Sequence, residues 1–104
     1  MLLEKTKFKD GDTITLKLIS GEEVVGKFIS EDMTDIVIKN PVMLAMTQKG
    51  PAMAPFMITV DSDKEFNISK SAIIIRAHTV KEVADQFTFQ TTGIQPVSAG
   101  SIIR

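Results

Sequence analysis

Asp32 and Asp35 are the carboxylates best spaced for general acid–base chemistry, since two close carboxylates repel and split their pKa values. Aspartates three residues apart are commoner as caps of a tight turn, and that role is expected of this pair. His78 is the only histidine, cysteine is absent, and no serine lies in a strand-turn-helix setting that would expose its hydroxyl as a nucleophile. No glycine loop able to cradle phosphate is present either. The densest acidic run, Asp61-Ser62-Asp63-Lys64-Glu65, lacks the following glycine and distal glutamate of a calcium loop, so it reads as a solvated hairpin turn. The expectation is a protein without catalytic residues, metal or cofactor.

The elements that must position these groups are strands. Residues 14–38 read ITLKLISGEEVVGKFISEDMTDIVI, and the alternation of Ile14, Leu16 and Leu18, then of Val24 and Phe28, has the period of two of half-buried strands. Ser20-Gly21-Glu22 between them predicts an antiparallel hairpin. Gly26 shares the inward face of Val24 and Phe28, where a missing side chain lets a sheet bend sharply toward a small barrel. A third strand opens at Ile36 and is expected to run toward Thr47, with a bulge or kink near Asn40-Pro41 because proline has no amide hydrogen to donate. Gln48–Pro55 has turn chemistry and is expected to be a loop. A fourth strand is expected over Phe56–Val60 and a fifth over Ala72–Ala77. Three consecutive isoleucines, Ile73, Ile74 and Ile75, make both faces of that fifth strand apolar. Thr79 and Glu82 match a capping box, and Val80, Val83, Ala84 and Phe87 form one apolar stripe on a C-terminal helix of about two turns.

The turn Gly21, the inward Gly26, the alternating Phe28, and then Asp32 and Asp35-Ile36-Val37-Ile38 resemble the first signature of Sm-like (Lsm) proteins. Ser69-Lys70-Ser71-Ala72-Ile73 is similar to the lysine-histidine-alanine-isoleucine turn of the Hfq branch, and the whole chain is similar to short Sm-like proteins of tailed phages. The resemblance implies an all-β fold, a strongly bent five-stranded antiparallel SH3-like barrel, here with a short C-terminal helix. It also implies a homo-oligomeric ring of about five to seven subunits, in which the fourth strand of one copy pairs with the fifth of the next. Phe56, Ile58, Ile73, Ile74 and Ile75 would then lie at the subunit interface. In such rings the turn between strands two and three meets the turn between strands four and five at the pore and holds single-stranded, uridine-rich RNA. Carried over by position, Asp32 orients the first turn, Met33 or Thr34 lies against the base, Asp35 replaces the family's base-reading asparagine, and Lys70 approaches base or phosphate. Ser71 stands where the Hfq branch has histidine. A ring that kept the barrel and serves as a scaffold or protein-interaction module, without RNA, is the open alternative.

Composition sets the outer limits. At 104 residues with 43% hydrophobic content, the chain supports one small domain, expected as barrel and helix over 1–90 with a flexible tail over 91–104. Twelve basic and thirteen acidic residues leave a net charge of -1, so any nucleic-acid contact must be local. The start lacks the apolar core of a signal peptide, and no apolar run approaches membrane-spanning length; with no cysteine, a cytoplasmic setting and no membrane partner are expected.

Overall fold

A computed structural model describes residues 7–92. Over this range the protein is mostly β, one antiparallel six-stranded sheet followed by one short helix. The strands are β1 (Thr13–Leu18), β2 (Glu23–Glu31), β3 (Asp35–Thr47), β4 (Gly50–Pro55), β5 (Glu65–Ser69) and β6 (Ile73–His78). A single 3-10 turn, Lys70–Ala72, joins β5 to β6, and the helix α1 spans Lys81–Thr92. The strand order is β4-β3-β2-β1-β6, and β5 also pairs with β3.

The predicted hairpin forms. Gly21, at φ 108°, makes the turn, and its N–H donates to the Leu18 carbonyl at 2.9 Å. Ile14, Leu16, Leu18, Val24, Phe28, Ile36 and Ile38 make one buried cluster, against which Phe8, Phe56, Phe66, Ile68 and Ile73 pack. Every strand except β4 contributes, so the sheet curves round this cluster. The bend occurs where the glycine and proline suggested. Between the pairs Val25↔Val42 and Lys27↔Lys39, Gly26 alone faces Asn40 and Pro41, a bulge. Asn40 takes φ 54°, a left-handed value that asparagine tolerates better than most side chains.

Two expectations about the middle of the chain are corrected. The segment expected as the loop Gln48–Pro55 is largely β4, which folds back on the second half of β3 through a tight turn in which Gly50 has φ 107°. Its prolines do not break this strand, because the Phe56 N–H donates inward to the Pro41 carbonyl, so Pro51, Met53 and Pro55 direct their nitrogens away from β3. The expected fourth strand, Phe56–Val60, is not a strand. Its would-be partner edge on β3 is taken by β4 as far as Val42 and by β5 from Lys39. Only Asn40 and Pro41 lie between, so residues 56–64 arch outward, held by the Asn40 N–H to the Ser62 carbonyl at 2.8 Å. The strand after Val60 is β5, and the acidic Asp61–Asp63 run forms the turn before it, with the Lys64 N–H on the Asp61 carbonyl.

The helix is longer than the two turns expected, at 12 residues. Thr79 does not cap it as foreseen; its hydroxyl bonds the Thr15 hydroxyl on β1 at 2.8 Å. The apolar stripe forms in part: Phe87 is buried with Val25 and Val42 on the outer face of the sheet, and Val83, Leu44 and Met53 pack around them, whereas Val80 precedes the helix and is exposed. Of the tail expected over 91–104, Thr91 and Thr92 belong to α1, and residues 93–104 lie outside the described residues. No helix among the described residues is long and apolar enough to cross a membrane.

Candidate functional site

The turn from β2 into β3 is built by one carboxylate. Asp32 Oδ1 accepts from the N–H of Asp35 and of Thr34, both at 2.8 Å, and from the Thr34 hydroxyl at 3.2 Å. The Asp35 and Thr34 amides therefore hold the Asp32 carboxyl below the usual range. Asp32 is consumed in shaping the loop, which leaves Met33 at the tip, 92% exposed. Asp35 turns away toward β5, where its Oδ2 accepts from Asn67 Nδ2 at 3.3 Å. The Asp32 and Asp35 carboxylates thus have separate hydrogen-bond partners.

The turn from β5 into β6 is shaped by serines. The Ser71 N–H donates to Ser69 Oγ, and the two hydroxyls bond each other at 2.8 Å. The two turns are adjacent: the Lys70 N–H donates to the Thr34 carbonyl at 2.8 Å, and Asp35 stands opposite Ser69 in the β3–β5 register. All six residues expected around the RNA site, Asp32, Met33, Thr34, Asp35, Lys70 and Ser71, lie in this one corner.

No protein-family model matches the chain, and no curated protein matches it. The chemistry of the corner therefore has to be read from its own side chains. Its strongest interaction is one that sequence spacing did not announce. Arg76 on β6 donates two parallel hydrogen bonds to Glu31, at 2.7 and 2.9 Å, and Lys70 Nζ reaches the same carboxylate at 2.8 Å. Arg76, with Lys70 behind it, lowers the Glu31 pKa to about 2. The Phe8 ring lies over the Arg76 guanidinium at 4.5 Å and meets the His78 ring edge-on. His78 Nε2 in turn lies 3.0 Å from Asp12 Oδ2. The Lys9 amide and then His78 keep the Asp12 carboxyl below its usual value. Glu31 and Arg76 are 45 positions apart. Only a charged residue among the isoleucines of β6 hinted at the pair.

Glu31 carries a pH prediction. A carboxyl whose pKa falls on folding stabilises fully above its ordinary value, here 4.5, and loses that contribution as pH drops through the folded value of about 2. Thermal unfolding of Glu31→Gln is expected to fall below wild type at neutral pH, with the gap closing between pH 4.5 and about 2. A gap unchanged at pH 2 would show that the charge of Glu31 is not what holds Lys70 and Arg76.

The five residues expected at a subunit interface separate into two groups. Phe56 and Ile73 pack inward on the chain's own core. Ile58, Ile74 and Ile75 are exposed, at 89%, 61% and 59%. A bulge explains the isoleucine triplet: Ile73 pairs with Leu18 and Ile75 with Lys17, so Ile74 is an extra residue without a partner on β1.

Proposed function

We propose that the chain is an Sm-like protein whose sheet forms the family's small barrel, and whose copies assemble into a ring that binds single-stranded, uridine-rich RNA at its mouth. The single observation that carries this reading is the hydrogen bond from the Lys70 amide to the Thr34 carbonyl, because it unites the two turns that the Sm-like resemblance assigns to one RNA site. β5 and β6 take the places of the family's fourth and fifth strands. Each pairs with a single neighbour, β5 with β3 and β6 with β1, so each retains an edge for another copy. On β4 the outer edge is poor in donors because of Pro51 and Pro55, which directs pairing to the other two edges. Met33 at the exposed tip offers an apolar, polarisable surface to a base, in the same corner as Lys70, whose ammonium can donate further hydrogen bonds beyond the one to Glu31.

A second reading is favoured by one observation. Glu31 already holds the Lys70 ammonium, and the corner sets Glu31, Asp32 and Asp35 against Lys70 and Arg76. Around a ring that excess of acid repeats and repels phosphate, which suits a scaffold or protein-interaction ring better than an RNA binder.

Titration with short oligo-U and oligo-A at several salt concentrations separates the two. RNA binding predicts measurable affinity at low salt, preference for oligo-U, and a log-log loss with salt of about 0.7 for each phosphate neutralised on a single strand. An intact ring that binds neither oligonucleotide at low salt would leave the scaffold reading.

A further inference from the structure

Among the described residues, two groups of exposed apolar side chains lie beside the two available strand edges. The first starts on β6 with Ile74 and Ile75. From Ile75 it continues through Ala77 and Val80 into a groove of about 460 Å³, beside the first turn of α1, that Val83 and Leu44 also line. Val80, just before α1, is 62% exposed, and α1 makes its buried contact further along, at Phe87. The second surface is the arch between β4 and β5, where Met57, Ile58 and Val60 are all exposed.

We propose that these surfaces cover one another between neighbouring copies, with Ile58 of one copy seated against Val80 in the groove between β6 and α1 of the next. This rests on the ring reading and extends it, since it makes the C-terminal helix part of the assembly contact. Two observations favour a second copy as the occupant. A ring needs two different, complementary surfaces on each chain, and the two exposed apolar surfaces lie beside different strand edges. The arch adjoins β5, and the groove adjoins β6, so pairing these two edges also brings arch and groove to the same junction. Charge at the two surfaces is mixed: Lys17 and Glu23 both line the groove, Lys81 is paired with Asp85 at 2.8 Å, and Asp61 and Asp63 lie within the arch. The arch itself is a nine-residue segment without regular secondary structure, so its backbone is not committed to a ladder within the chain.

The test uses the full chain, with Ile58→Asp, Val80→Lys and the double variant, and reads subunit dissociation on dilution by light scattering and native mass spectrometry. Both positions are exposed, so unfolding temperatures of the variants should stay near wild type at equal oligomeric state. Each single change is expected to make the ring dissociate at about tenfold higher concentration or more, and the double variant to recover part of that loss through the new Asp–Lys pair. Rings unaffected by either single change would overturn this contact while leaving ring assembly in place, and so would losses that simply add. A wild-type chain that is a monomer would remove the contact and the ring together.

Discussion

Gly26→Ala is expected to cost about 1–3 kcal/mol of stability, a large effect for one methyl group. A Cβ at position 26 would lie 3.0 Å from Ile38 Cδ1, and 3.3 Å from both Ile38 Cβ and the Lys39 carbonyl oxygen. The first contact involves the end of a side chain that can rotate, but the other two are fixed by β3. Moving β3 away would mean undoing the Asn40–Pro41 bulge that bends the sheet. Equilibrium denaturation measures the loss, and Ile38→Val tests its cause. Removing Cδ1 alone costs about 0.5–1.5 kcal/mol, but in the Gly26→Ala background it relieves the tightest contact. The double variant is therefore expected to be more stable than the sum of the two losses. Strict additivity would mean that Gly26 is required for some other reason.

Phe87→Ala is expected to cost about 3–5 kcal/mol and to release the helix from the sheet. α1 has 12 residues, a length that is marginal as an isolated helix in water, so docking must hold it. Among the described residues of α1, Phe87 alone is buried, 3% exposed, and it closes over Val25 and Val42. Two signals should separate: the helical component of the circular dichroism is lost at lower denaturant than the strand component, whereas wild type loses both together. Loss of both signals in one transition would mean that the helix and the sheet stand or fall as a unit.

The legible parts of this fold are those in which one local rule acts without competition. The alternation of Ile14, Leu16 and Leu18 marks the inner face of β1 because that face has a single core to meet. Gly26 and Asn40-Pro41 could be read separately, one from a missing side chain and the other from a missing donor, and the structure shows them as the two sides of one bulge. Phe56–Val60 misleads for the opposite reason. Its alternation is that of a strand, but pairing is a property of the partner edge, and β4 and β5 already occupy that edge. The prolines of β4 mislead in turn, since a proline breaks a strand only where its nitrogen faces a partner. At the candidate site, Asp32 was legible as a turn cap because its three donors lie within three residues of it. The Glu31–Arg76 pair was not, since only the folded sheet brings β2 and β6 to the same corner.

Assembly is the claim on which the functional proposal stands, and the mass of the intact chain in solution tests it most directly. Light scattering on nucleic-acid-free protein at micromolar concentration is predicted to give one species of about five to seven copies of the 11.4 kDa chain. A species of one copy, 11.4 kDa, that persists as concentration is raised would contradict the ring and the pore with it.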